Sequence, residues 1–272
     1  MCDTCGCGDI SGIDHHHDHN HDHSHDHDHN HDHSHDHDHN HDHSHDHDHN
    51  HDHSHGEQLT IPVGRDILDI NKRMAERTRG YFEAKNIYAI NIMSSPGSGK
   101  TTLLERTLAD LREKRSFYVI EGDQHTSRDA DRISATGVPV VQVNTGNACH
   151  LDAAMVNRAV KEFNPQNGSV ILIENVGNLI CPAMFDLGEM TRIVMMSVTE
   201  GEDKPLKYPG MFRTSQLCII NKTDLLPYVN FKVETAIENG LKVNGRLKFL
   251  EVSALSGKGM DEWYKWLLAN AG

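Results

Sequence analysis

Short apolar runs rich in β-branched residues recur from residue 87 to residue 252, separated by stretches with apolar residues at helical spacing. The runs are I-Y-A-I-N-I-M (Ile87 to Met93), F-Y-V-I-E (Phe117 to Glu121), V-P-V-V-Q-V (Val138 to Val143) and V-I-L-I-E (Val170 to Glu174). They continue as R-I-V-M-M-S-V (Arg192 to Val198), L-C-I-I-N (Leu217 to Asn221) and L-K-F-L-E-V (Leu247 to Val252). Continuous apolar strands alternating with helices predict an α/β fold, a mostly parallel sheet covered on both faces. Ligands then gather at the carboxyl ends of the strands. A polar segment from Val63 to Phe82, with Ile67, Ile70 and Met74 near helical spacing, predicts a helix leading into this core.

This pattern is absent from the first 56 residues, which divide the chain into an arm (1–56) and a folded domain (57–272). The first 55 residues hold 22 of the 24 His, fourteen Asp and no Lys or Arg, so the net charge of −14 resides in the arm. The remainder carries 26 acidic and 26 basic residues and has no basic field for nucleic acid or anionic lipid. No apolar run approaches the roughly 20 residues that span a bilayer. The start M-C-D-T-C-G-C lacks the basic and apolar regions of a signal peptide, so a cytoplasmic location is expected. In that reducing compartment the six Cys read as metal ligands or buried thiols rather than disulfides.

From His21 to Asn50 the decamer H-D-H-S-H-D-H-D-H-N repeats three times, preceded by His15, His16 and His17. With no apolar residue to bury, the repeat is expected to be disordered without metal. Neutral imidazole suits nickel, zinc and copper, and interleaved Asp helps to gather cations. An affinity tag would repeat plain His and would not lie behind a separate Cys motif. At roughly four to six donors per ion the arm holds on the order of four or five metals, and loading should fall as pH drops through about 6.5. Ahead of the repeat, Cys2, Cys5 and Cys7 stand in C-x-x-C-G-C, where Gly6 permits a tight wrap around one ion. A planar set of thiolate and amine ligands suits Ni²⁺ and a tetrahedral thiolate set suits Zn²⁺, so the spacing leaves the metal open.

After the first predicted strand comes S-S-P-G-S-G-K-T-T, Ser94 to Thr102, followed by a helical pattern. Gly97, Ser98 and Gly99 let backbone amides turn toward phosphate oxygens, Lys100 reaches the terminal phosphates, and Thr101 offers a hydroxyl to Mg²⁺, with Thr102 following. Ser94 replaces the usual first Gly and weakens the formal match slightly. Asn221, Lys222 and Asp224 form N-K-T-D at the end of another strand, and Ser253 and Ala254 begin S-A-L after the last one. An Asp carboxylate in a base pocket pairs with N1-H and the N2 amino group of guanine and would be unpaired against adenine. GTP is therefore the expected nucleotide, and a P-loop kinase is disfavoured. Asp123, in E-G-D-Q-H-T, is a candidate for Mg²⁺ directly or through water. Glu174 opens E-N-V-G, where Gly177 would sense the γ-phosphate. No water-positioning Gln is identifiable, so slow intrinsic hydrolysis is expected.

Cys149 and His150, in N-A-C-H-L, leave one loop, and Cys181, four residues beyond Gly177, leaves another. Two thiolates and an imidazole make a plausible metal set with one open position. Cys218, inside an apolar strand, reads instead as a small buried hydrophobe. The charged run around Glu202, Asp203 and Lys204 suggests no role by its composition.

Taken together, C-x-x-C-G-C, the His-rich arm, S-S-P-G-S-G-K-T-T, E-N-V-G-N-L-I-C-P, V-T-E-G-E-D-K-P-L-K-Y-P and N-K-T-D resemble the hydrogenase nickel-incorporation GTPases, the HypB family. The resemblance spans essentially the whole chain. It implies a P-loop G domain that hydrolyses GTP and helps to insert nickel into the large-subunit precursor of [NiFe]-hydrogenase. It also implies a nickel metallochaperone partner of the HypA type, a homodimer formed on GTP or metal binding, and Ni²⁺ or Zn²⁺ at Cys149, His150 and Cys181. Cys2, Cys5 and Cys7 would be the tight nickel site. A storage protein and a nickel GTPase serving urease are the rival readings.

Overall fold

The computed structural model describes residues 63–123, 128–146 and 148–272. Cys2, Cys5, Cys7 and the His repeat lie outside the described residues, as do the expected disorder of the arm and its boundary at residue 56. Seven strands form one sheet: β1 (Tyr88–Ser94), β2 (Phe117–Asp123), β3 (Val140–Asn144), β4 (Val170–Glu174), β5 (Thr191–Ser197), β6 (Leu217–Asn221) and β7 (Lys248–Glu251). Their order is β3-β2-β4-β1-β5-β6-β7, and all six pairings between neighbouring strands are parallel. The helices are α1 (Val63–Ala84), α2 (Lys100–Leu111), α3 (Arg128–Ser134) and α4 (Ala153–Phe163), then α5 (Lys204–Lys207), α6 (Pro209–Thr214), α7 (Val233–Val243) and α8 (Met260–Asn270).

Helices cover both faces, so alternate strand residues serve different cores. On one face Ile90 and Ile92 of β1 pack with Leu103, Leu104 and Leu108 of α2 and with Trp263 and Leu267 of α8. The buried Trp263 satisfies its indole N–H on Thr107 Oγ1 at 2.8 Å. On the other face Ala89, Ile171 and Ile173 meet Phe82 of α1 and Val156 and Val160 of α4. A third cluster joins Val194, Cys218 and Ile220 to Phe212 of α6 and Val233 and Ala236 of α7.

The limits of β1, β2, β3, β5 and β7 shift by one or two residues from the sequence expectation. The third strand begins at Val140 rather than Val138, because Pro139 has no N–H for the ladder. In α1 the buried stripe is Asn71, Ala75, Thr78 and Phe82, whereas Ile70 is 63% exposed. The helix docks partly through hydrogen bonds, which an apolar pattern does not reveal. Asn71 Oδ1 accepts from the amide of Ala153 at 2.8 Å, Asn157 Nδ2 donates to Thr78 Oγ1 at 3.1 Å, and Arg79 forks onto Asp186 at 2.7 and 2.8 Å. Among the described residues no helix is long and apolar enough to cross a membrane.

Strand β1 lies between β4 and β5, so the turns after β1 and β4 open side by side at the carboxyl edge of the sheet.

Candidate functional site

The turn after β1 wraps toward the N-terminus of α2, whose N-cap is Gly99 at φ 97°. A side chain there is excluded twice, by the left-handed backbone and because a Cβ would lie 2.6 Å from Asn221 Nδ2. Asn221 donates that amide to the carbonyl of Ser98 at 2.9 Å and accepts the N–H of Ala254 on Oδ1 at 3.1 Å. Lys222 Nζ donates to the carbonyl of Gly97 at 2.7 Å, and Ser253 Oγ donates to Asp224 Oδ1 at 2.5 Å. The three sequence motifs therefore form one hydrogen-bonded unit. A cavity of 530 Å³ is lined by Lys100, Thr101, Asp123, Glu174 and Gly177, among others. A second, of 230 Å³, is lined by Asn221, Asp224, Ala254 and Leu255, and both share Gly99, Thr102 and Lys222 in their walls. The larger is lined by an ammonium, hydroxyls and carboxylates, and the smaller is mainly apolar with the carboxylate of Asp224 in its wall.

Buried charge concentrates at the first cavity. Lys100 is held below the usual ammonium range by burial, opposed chiefly by the carboxylate of Glu174. Burial likewise raises Glu174. Glu121, its register partner across β2 and β4, is pushed up to about 8 by burial and by the neighbouring carboxylates of Glu174 and Asp123. Thr101 Oγ1 donates to Glu174 Oε1 at 2.7 Å, while Glu174 Oε2 and Glu121 Oε2 are buried without a hydrogen-bond partner among the described residues. Orphaned carboxylate oxygens beside a threonine hydroxyl form a donor set suited to a hard divalent cation such as Mg²⁺.

The second constellation is assembled by two loops. Cys149 and His150 precede α4, whose N-cap Asp152 accepts the N–H of Met155 at 2.7 Å. Cys181 opens a 3₁₀ turn, Cys181–Ala183. The ligand atoms of Cys149, His150 and Cys181 lie within 4.8 Å of one another. The two sulfurs are 2.8 Å apart, and Cys149 Sγ is 3.9 Å from His150 Nδ1. The imidazole stacks on Phe185 with centroids 3.8 Å apart, and its burial lowers its pKa, favouring the neutral form that ligates. Cys218 is fully buried, and burial drives its thiol pKa strongly upward, consistent with an inert hydrophobe.

Several contributors escape the sequence reading. Ser94, read only as a weak point of the motif, accepts from Lys100 Nζ at 2.9 Å and from Ser98 Oγ at 2.6 Å, holding the ammonium inside the loop. Glu200, in the charged run without an assigned role, accepts from Ser95 Oγ at 2.5 Å, from the amide of Ser197 at 3.0 Å and from Lys204 Nζ at 3.3 Å. That run therefore braces the P-loop. Arg132 lines the larger cavity and donates to Thr102 Oγ1 at 3.0 Å. Glu121 carries a legible signal, since F-Y-V-I-E and V-I-L-I-E both end buried strands on a carboxylate.

The fold and the motif unit define a P-loop nucleotide-binding domain. A family model described as the CobW/HypB/UreG nucleotide-binding domain matches residues 88–251. The chain is 54% identical over 215 residues to hydrogenase maturation factor HypB of Rhizobium leguminosarum bv. viciae, covering 79% of this chain and 72% of that protein. The structure of HypB from Helicobacter pylori in complex with nickel is similar with a TM-score of 0.71 and 39% identity, over 74% of this chain and 95% of that one. The structure of HypB from Archaeoglobus fulgidus gives a TM-score of 0.71 and 40% identity, over 75% of this chain and 100% of the other. The chain belongs to the HypB family of hydrogenase maturation factors.

Proposed function

We propose that this chain hydrolyses GTP and uses the nucleotide cycle to deliver nickel to the active site of [NiFe]-hydrogenase during maturation. The reading is carried by Cys181, which clusters with Cys149 and His150 and lies four residues beyond Gly177 on the segment that leaves the Glu174 to Gly177 turn. A γ-phosphate that draws in the amide of Gly177 shifts a turn leading directly to Cys181, so one cargo ligand moves with the nucleotide state. By linkage, bound nickel alters nucleotide affinity in return.

Within this reading Gly97, Ser98, Gly99 and Thr102 hold phosphates, Lys100 faces the terminal phosphates, and Asn221, Lys222, Asp224, Ser253 and Ala254 form the guanine pocket. Thr101 and Asp123 would hold Mg²⁺, which neutralises charge on the β- and γ-phosphates when bound. Glu174, which accepts from Thr101 Oγ1, stands beside them. Cys2, Cys5, Cys7 and the His repeat collect Ni²⁺ or Zn²⁺ as an arm distinct from the domain from residue 57 onward. The chain acts in the cytoplasm as a homodimer formed on GTP or metal binding, receives nickel from a HypA-type metallochaperone and passes it to the hydrogenase large-subunit precursor.

Storage alone makes a different demand. In the full chain Lys100→Ala should lose GTP hydrolysis and hydrogenase maturation while keeping its nickel. Maturation at the wild-type level by this variant would sink delivery and leave storage.

A further inference from the structure

Between the nucleotide-sensing turn and the metal cluster runs a connected line of buried polar side chains. Asn175 follows Glu174 and is 1% exposed. Its Oδ1 accepts from the amides of Leu151 at 3.1 Å and Val176 at 3.0 Å, and its Nδ2 donates to Asn91 Oδ1 at 3.2 Å. Asn91 Nδ2 donates to Glu189 Oε1 at 3.2 Å. The same Glu189 oxygen accepts Arg192 Nε at 2.6 Å, while Oε2 accepts the amide of Leu187 at 2.7 Å. Arg192 places its remaining donors on the carbonyls of Ala183 and Phe185, each at 3.1 Å.

The endpoints of this line give it meaning. Leu151 adjoins His150. Ala183 closes the turn that Cys181 opens, and Phe185 supplies the ring on which His150 stacks. Both metal-bearing loops are thus tied to one residue of the turn that faces the γ-phosphate. Buried amides do not give up partners without a full desolvation penalty, so a turn that moves must carry the Leu151 loop with it or break the bond. Cys181 follows the turn through the covalent chain, whereas the Cys149-His150 loop is joined to the turn itself by the Leu151–Asn175 hydrogen bond, beside the Cys149–Cys181 contact and the His150–Phe185 stack further along the same segment.

We propose that Asn175 is the positioning residue that keeps the Cys149-His150 loop in step with the nucleotide-sensing turn, so that nucleotide state sets the geometry of the whole metal site. The proposal rests on the nickel-delivery reading above. Polar partners behind metal ligands commonly change metal affinity by roughly 10- to 100-fold, and couplings between sites of roughly 5- to 150-fold are ordinary.

The test titrates nickel into full-chain protein holding GDP or a non-hydrolysable GTP analogue, following thiolate-to-metal charge-transfer absorption. Full-chain Cys149→Ala in parallel subtracts nickel taken up elsewhere. In Asn175→Ala the ratio of site affinities between the two nucleotides should collapse to within about twofold, with GTP affinity kept within about threefold. Asn175→Asp retains an oxygen for the Leu151 amide and should keep at least half of the wild-type ratio. A wild-type ratio in Asn175→Ala overturns this inference alone. Loss of GTP affinity in Asn175→Ala without rescue by the Asp variant marks a merely structural residue and also overturns it. A ratio of one in the wild type overturns the delivery reading itself and this inference with it.

Discussion

The side-chain amide of Asn221 donates to the main-chain carbonyl of Ser98 at 2.9 Å, binding the end of β6 to the P-loop more than a hundred residues earlier in the chain. The same side chain accepts the amide of Ala254. One buried residue thereby ties together the walls of the two cavities at the carboxyl edge of the sheet. Such preorganisation lowers the ordering cost of binding.

Asn221→Ala removes both bonds and strands a buried carbonyl and a buried N–H. The expected loss is about 2–3 kcal/mol of stability. Guanine nucleotide affinity should fall by at least about tenfold, because the two halves of the site lose their common anchor. Chemical denaturation and fluorescent GDP titration check both; affinity unchanged within a factor of two would refute the anchoring role.

Gly177 approaches the P-loop so closely that an added Cβ would meet Pro96 Cα at 3.0 Å and its nitrogen at 3.2 Å. Both are backbone atoms, so Gly177→Ala must push this turn away from the P-loop. GTP hydrolysis should drop by roughly 100-fold or more if this turn stabilises the transferred phosphoryl group, while GDP affinity changes by less than about fivefold. Steady-state turnover and GDP titration on the same preparation separate the two, and turnover within a factor of three of wild type would exclude the contact as a sensor.

Acid should loosen α1 through Asp186. Burial acts to raise the pKa of this carboxyl, but the Arg79 fork and the Gly188 amide more than offset it and hold it below the usual range. A folded-state pKa below the unfolded value contributes stability that is full above about pH 4 and is lost as pH falls through the depressed value. Asp186→Asn should therefore cost about 1–2 kcal/mol at pH 7 and progressively less below about pH 4. Urea unfolding of variant and parent at pH 7 and pH 3 reads the difference; a gap of equal size at both would contradict the assignment.

Much of the architecture was legible because it depends on local pattern. Strands β4 and β6 have the predicted limits, since V-I-L-I-E and L-C-I-I-N are buried on both faces and need no tertiary information to read. The P-loop and N-K-T-D are short contiguous motifs, legible from residue type and local spacing alone. Helix α1 was legible as a helix, but the face it buries was not, because Asn71 and Thr78 bury polar groups against partners distant in sequence. Ser94 and Glu200 were missed for the same reason: a hydroxyl or carboxylate carries no mark of its partner.

The sequence by itself determined the strand-helix alternation, the P-loop and N-K-T-D motifs and the residue types able to ligate a soft metal, because those depend on residue type and spacing. Only the tertiary structure decided which of them meet. Parallel pairing of β2 with β4 sets Glu121 beside Glu174, and the parallel order β3-β2-β4 opens the loops after β3 and β4 at one edge of the sheet, where Cys149 and His150 meet Cys181. The hydrogen bond from Leu151 to Asn175 likewise spans 24 residues of sequence. Such contacts are selected by burial and by the cost of leaving a polar group unpaired, and both belong to the folded core rather than to any segment of the chain.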